Sequence, residues 1–327
     1  MVKVKTALIA GVLGTTLATG TAVAFHGGAT HAHAAKSYRI VLIAGIASDP
    51  FYITMGNGAS AQAKTLGASV QYTGSGTDFS PPTQLPFLNA AIAQKPDLIL
   101  IAPTDKAALQ APIQRAVSAG IPVILVDTTL NNPSIALTTI SSDNVLGGKS
   151  VADALAKAVG KKGKVAVVSV QPGISTTDQR VQGFNAELAQ YPNVKSIGVT
   201  YATDSPTKAA TIFKGIATAN PDLVGVFATN TNTGSGVAAA AKETGLKGKL
   251  KLVEFDAEPA EVLALKQGTI TALVSQDPYS IGSLAVKYGI QYLNGNHKLL
   301  KHYGTGEAII TKSNINDPSI KRFLYSQ

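Results

Sequence analysis

From Tyr38 onward the chain alternates two kinds of stretch: a short β-branched, apolar run, and a longer segment rich in Ala, Lys and Gln whose apolar residues recur at helical spacing. Gly, Pro, Asn and Asp punctuate the joins. The runs read as strands are Tyr38–Ile46, Ala68–Thr73, Asp97–Ala102, Ile121–Val126, Ile135–Ile140, Lys164–Val170, Val194–Tyr201, Asp222–Thr229, Leu250–Asp256 and Thr269–Ser275. Helical patterns fall between most of them, as at Ala107–Ala119, Asn144–Val159 and Ser235–Thr244. Strands that are apolar along their length and separated by helices predict parallel sheets covered on both faces. So many strands exceed one comfortable sheet, and the pattern restarts after Ser141-Ser142-Asp143-Asn144. The expected fold class is therefore α/β, with two doubly wound parallel-sheet lobes. The steps Lys95-Pro96-Asp97-Leu98-Ile99 and Ala219-Asn220-Pro221-Asp222-Leu223 look alike, as they would if each lobe repeats one unit, although Pro-Asp is also a general turn signal.

Composition agrees with two cores: 327 residues, 45% of them hydrophobic, suffice for two ordinary domains. The first residues break the pattern. Met1-Val-Lys-Val-Lys precedes an apolar stretch from Ala7 to Phe25 and a polar segment ending Ala32-His33-Ala34, the order of an export signal over residues 1–34. The alternative is a retained anchor, since about 18 weakly apolar residues can just span a bilayer. The chain has no cysteine, which excludes disulfides, thiolate metal sites, a cysteine nucleophile and a lipid-modified cysteine. The formal charge is +9, but only four of the positive residues are Arg, and the lysines are scattered through helical segments. A solvated basic surface follows, and no arginine-rich stripe offers itself to nucleic acid.

In open α/β sheets a ligand sits beyond the carboxyl ends of the strands. Those ends carry Asp49 with Phe51 and Tyr52, Thr104 with Asp105, then Asp127, Gln171, Asp204, Asn230, Asp256 and Gln276. Carboxylates accept from hydroxyls, carboxamides donate and accept, and aromatic rings pack on C–H faces, so the inventory suits a neutral polyol. The competing reading is that Asp127, Asp204 and Asp256 cap the helices that follow.

Several phrases occur in order along the chain: Ile46-Ala-Ser-Asp49-Pro-Phe51-Tyr52, Val126-Asp127, Ser142-Asp143-Asn144-Val145-Leu146-Gly147-Gly148, Gln179-Arg180-Val181-Gln182-Gly183-Phe184, Phe227-Ala-Thr-Asn230, Glu254-Phe255-Asp256 and Ser275-Gln276-Asp-Pro278. Together they resemble the ribose-binding-protein group of type I periplasmic solute-binding proteins. The resemblance implies lobes joined by a three-strand hinge, with crossovers near Ile140-Ser141, Gln276-Asp277 and Tyr303-Gly304. The N-terminal lobe would then be 37–140 with 277–303, and the C-terminal lobe 141–276 with 304–327. It implies that Asp49 bonds a sugar, that Phe51 and Tyr52 stack on it, and that Asp127, Asn230, Asp256 and Gln276 bond its hydroxyls from both lobes. Asp143-Asn144 and Gly147-Gly148 would be structural. Sugar-binding members often carry arginines where Thr128 and Asp178 stand here, so the expected pocket is free of arginine. Thr128, Asp178 and Asp204 join the candidates, with Asp178 and Asp204 as added acceptors suited to a small polyol or a ligand with a cationic group.

The function implied is capture of a small sugar or polyol by hinge closure and delivery to the permease subunits of an ABC transporter. The protein would be an exported monomer, periplasmic or at the cell surface, with no cofactor, no metal and no catalytic residue. A sensory partner in place of a permease stays open. Glycoside hydrolysis by paired carboxylates is disfavoured: three of the five histidines lie in the leader, no metal-ligand spacing occurs, and Gly74-Ser75-Gly76 and Gly234-Ser235-Gly236 form no phosphate-binding pattern. A sugar-responsive repressor would need a helix-turn-helix before Tyr38, where the export pattern lies.

Overall fold

The computed structural model describes residues 37–325. The expected export signal at 1–34 lies outside the described residues. Two six-stranded sheets form, each with helices on both faces.

The first lobe begins β1 (Arg39–Ile43), α1 (Pro50–Thr65), β2 (Ser69–Thr73), α2 (Pro81–Gln94), β3 (Leu98–Ile101), α3 (Gln110–Ser118), β4 (Val123–Val126), β5 (Thr138–Ser142). The second lobe follows with α4 (Asn144–Ala158), β6 (Gly163–Ser169), α5 (Ser175–Leu188), β7 (Val194–Tyr201), α6 (Pro206–Ala219), β8 (Leu223–Ala228), α7 (Thr231–Glu243), β9 (Lys251–Phe255), α8 (Pro259–Gln267) and β10 (Ala272–Gln276). The chain then returns to the first lobe for α9 (Pro278–Leu293) and β11 (His302–Thr305), and ends in the second with β12 (Glu307–Ile310).

The strand orders are β11-β5-β4-β3-β1-β2 and β12-β10-β9-β8-β6-β7. The first five strands of each lobe thus take the same order, and they pair in parallel. The sixth differs: β11 runs parallel to β5, whereas β12 runs antiparallel to β10. The central strands β3, Leu-Ile-Leu-Ile, and β4, Val-Ile-Leu-Val, are buried throughout, because helices cover both of their faces. Helix starts are set locally. Asp49 and Asp277 cap α1 and α9, each followed by a proline at the first helical position, where the missing N–H costs nothing.

One pair of helices in each lobe packs backbone to backbone. A Cβ on Gly58 or Gly282 would collide with a carbonyl of the facing helix, α9 or α1; a Cβ on Gly148 or Gly183 would do the same between α4 and α5. Gly148 therefore serves helix packing, and the repetition of the contact shows the two lobes to be built alike.

The crossovers sit slightly later than the sequence placed two of them. The boundaries at 140/141 and 303/304 fall inside β5 and β11, which pair with each other at Ile140↔Tyr303, Ser141↔Gly304 and Ser142↔Thr305. That pairing keeps 141–142 and 304–305 in the first sheet, and the chain passes over at Asp143, Asp277 and Gly306. Ile135, expected to open a strand, ends a 3-10 turn instead, since Asn132 caps Pro133–Ile135. Among the described residues no helix is long and apolar enough to cross a membrane.

Candidate ligand-binding site

The carboxyl ends of the two sheets face each other across a cavity of about 460 Å³, counting the space open towards the cleft. The first lobe contributes Asp49, Phe51, Tyr52, Phe79 and Asp127. The second contributes Asp204, Asn230, Thr231, Asp256 and Gln276 from strand ends and helix starts, and Val170, Ile174, Thr176, Thr177 and Arg180 from the loop after β6 and helix α5.

Two aspartates hold equivalent places. Asp127 follows β4 and Asp256 follows β9, and both have left-handed backbones, φ 62° and 94°. Such φ values cost a non-glycine residue about 1–2 kcal/mol. Each is held by the strand beside it: Asp127 N donates to Ile140 O and Asp256 N to Val274 O, both at 2.9 Å. Neither caps a helix. The caps are Ser205 for α6, Asn230 for α7 and Glu258 for α8, so capping explains none of Asp127, Asp204 and Asp256. Asp49 and Asn230 do cap, and line the cavity as well.

The hydrogen bonds divide the carboxylates into two kinds. Asp49 Oδ1 accepts from Phe51 N at 2.8 Å, Asp127 Oδ2 from the Tyr52 hydroxyl at 2.8 Å, and Asp204 Oδ1 from Asn230 Nδ2 at 2.6 Å and Asn232 Nδ2 at 3.2 Å. In all three the second oxygen takes no donor among the described residues. Asp256 is a hub instead. Its Oδ1 accepts from Gln276 Nε2 at 2.6 Å and the Tyr325 hydroxyl at 2.7 Å, and its Oδ2 from Thr231 Oγ1 at 3.3 Å, with Arg180 Nη1 at 3.8 Å. Gln276 Oε1 is buried with no donor among the described residues.

Burial sets the acid–base balance. It pushes Asp49 well above the usual carboxylate range and raises Asp204. Asp127 is pushed up to about 6 by burial, against the opposing pull of Arg180 and the Tyr52 hydroxyl. Behind Asp256 lie Glu254 and Glu261, both fully buried; burial holds their carboxyls well above the ordinary value, and neither oxygen of Glu254 has a donor among the described residues. Among the described residues, no group of three or more His, Cys, Asp or Glu is placed to hold a metal ion.

Of the sequence candidates, Asp49, Phe51, Tyr52, Asp127, Asp204, Asn230, Asp256 and Gln276 converge on the cavity. Thr128 and Asp178 do not. Thr128 is buried beneath the site, its hydroxyl donating to Pro103 O at 2.8 Å. Asp178 turns to the rim and pairs with Lys106 Nζ at 2.8 Å. The expected absence of arginine is corrected: Arg180 lines the cavity, clamped by Asn144 Oδ1 (2.9 Å) and Thr229 O (2.8 Å) and stacked 3.7 Å over the Phe255 ring. Sequence reasoning quoted Arg180 only as a landmark for its neighbour. It also missed Phe79, in a loop with no pattern, and Tyr325, 69 residues from Asp256 along the chain.

The periplasmic binding protein domain family matches residues 40–297. The chain is 29% identical over 260 residues to the ribose import binding protein of Bacillus subtilis (strain 168), covering 80% of this chain and 83% of that protein. An ABC transporter solute-binding protein from Agrobacterium vitis, solved with α-D-tagatopyranose, superimposes with a TM-score of 0.87 at 43% identity, over 89% of this chain and 100% of that one. A carbohydrate transporter solute-binding protein from Agrobacterium radiobacter, in complex with D-arabinose, gives 0.84 at 31% identity over 88% and 99%.

Proposed function

The chain belongs to the periplasmic binding protein domain family, and from that premise we propose that it is an exported component of an ABC transporter that closes its lobes around a small neutral sugar or polyol and delivers it to membrane permease subunits. The observation that carries this reading is the set of unspent acceptors. Asp49 and Asp127 on one wall, and Asp204 and Gln276 on the other, each keep an oxygen with no donor among the described residues. Hydroxyl groups supply the missing donors, and a ligand that bridges both walls stabilises the closed arrangement through its greater affinity for it. Asn230 and Asp256 bond further hydroxyls, while Phe51, Tyr52 and Phe79 offer faces to ring C–H groups. Thr128 and Asp178, which do not line the cavity, make no direct contact with the ligand in this reading.

Charge narrows the class. Four carboxylates face the cavity against one guanidinium that the protein already clamps, so sugar acids and sugar phosphates are disfavoured. The sugars held by the similar solved proteins support a neutral monosaccharide. Isothermal titration of the full chain with D-tagatose, D-arabinose, D-ribose, a linear pentitol and a hexuronic acid tests the reading. Saturable binding of a neutral compound is expected; binding of the uronic acid alone, or of none of them, overturns it.

A further inference from the structure

The lobes touch at the rim of the cleft through groups that do not line the cavity. Lys106 Nζ of the first lobe meets Asp178 Oδ2 of the second at 2.8 Å, and that same oxygen accepts from Gly173 N at 3.2 Å. Lys106 N in turn donates to Gly173 O at 3.3 Å, so Lys106, Asp178 and Gly173 close a ring across the cleft. Thr129 N donates to Ser175 Oγ at 2.9 Å beside it. Gly173 has φ 101°, and a Cβ there would stand 3.0 Å from Asp105 Oδ2, so a glycine lets the second-lobe loop come this close to the first lobe.

We infer that Lys106 and Asp178 are positioning residues of the site: a charged latch that lengthens the closed state around any bound ligand without choosing among ligands. The inference rests on the reading that the lobes open and close. Asp178 stands in the first turn of α5, where an acidic residue also suits the helix dipole. A dipole role would make the carboxylate matter without Lys106. The geometry favours the latch, because Asp178 Oδ2 bonds Lys106 Nζ across the cleft, while its local bond from Gly173 N holds the loop whose carbonyl also accepts from Lys106 N. The paired side chains are 37% and 35% exposed, so the pair is screened, and its effect is about two- to fivefold and salt-dependent.

The test is kinetic. Stopped-flow dissociation of D-tagatose and D-arabinose is measured for the full chain and for Asp178→Asn, Lys106→Gln and the double variant. The latch predicts dissociation about two- to fivefold faster in each single variant and no further gain in the double. The ratio of the two sugars' affinities stays fixed, Asp178→Glu restores part of the effect, and about 1 M salt abolishes the differences. A shifted ratio would make Asp178 a ligand contact, and additive or absent effects would remove the latch. A ligand-free arm separates this from the transport reading. The chain has no cysteine, so Lys64→Cys and Lys242→Cys place one spin label on an exposed site of each lobe. Pulsed distance measurements should show a smaller closed population in Asp178→Asn. If no sugar binds but this shift appears, the ligand assignment fails and the latch stands; if sugars bind and neither rates nor distances move, the latch fails.

Discussion

In the first lobe the cavity wall is aromatic, with Phe51, Tyr52 and Phe79 beside two aspartates, whereas the second lobe supplies amides, hydroxyls, two more aspartates and the guanidinium. The contrast is sharpest at the equivalent pair. Asp127 and Asp256 share a strand end, a left-handed backbone and a bond to the neighbouring strand. Yet, among the described residues, Tyr52 alone donates to the side chain of Asp127, while Gln276, Tyr325 and Thr231 converge on Asp256 with Arg180 alongside. One backbone site has thus been made an available acceptor in one lobe and a fixed hub in the other. A hub holds its neighbours in place before ligand arrives, so less ordering is left to the moment of binding.

The largest test of that contrast is truncation of each aspartate. Asp256→Ala takes the paired carboxylate from the buried Arg180 guanidinium and the acceptor from the Gln276 amide and the Tyr325 hydroxyl, and should cost about 3–5 kcal/mol of unfolding free energy in a urea titration. Asp127→Ala strands one phenol and should cost about 1–3 kcal/mol. Equal costs would erase the distinction between hub and acceptor.

Acidity offers the next handle. Asp127 titrates at about 6 in the folded protein, above its ordinary value of 3.8, so the folded state holds the proton more tightly than the unfolded one. Its contribution is therefore fully present below the ordinary carboxylate range and is lost as pH rises towards about 6, by at most about 3 kcal/mol. Asp127→Asn should remove this slope, while Asp49 and Asp204, also raised, act in both proteins and cancel. An unchanged difference between wild type and variant from pH 4 to about 7 would refute the assignment.

The aromatic wall should divide in a smaller way. Phe51 is buried against Tyr52 and Tyr325 at ring separations of 5.1 and 5.7 Å, so Phe51→Ala lowers stability together with affinity. Phe79 is only half-buried, and Phe79→Ala should weaken sugar binding by about 1 kcal/mol while leaving the urea midpoint in place.

How much of this was legible in the sequence depended on whether a signal was local. Leu98–Ile101 and Val123–Val126 announce buried parallel strands by being apolar throughout, and from them follow the lobes and the edge on which the cavity aspartates lie. His302–Thr305 and Glu307–Ile310 carry no such mark. They are four residues each, and pairing with β5 and β10 makes them strands. The same holds in the site. Asp49, Asp127, Asp204 and Asp256 could be placed at strand ends by topology alone, but whether a nearby charge enters the cavity is decided by partners distant in sequence. Asp178 meets Lys106, 72 residues away, and leaves the pocket; Arg180, two positions on, meets Asn144 and Thr229 and stays.

The central claim is that one ligand engages both walls, and thermal unfolding of the full chain with D-tagatose tests it most directly in wild type, Asp127→Asn and Asp256→Asn. A ligand present at 100 times its dissociation constant stabilises the folded protein by about 2.7 kcal/mol. The account predicts that shift in wild type and its loss or marked reduction in both variants at the same sugar concentration. A shift that survives intact in either variant would place the sugar on one lobe alone and contradict closure around it.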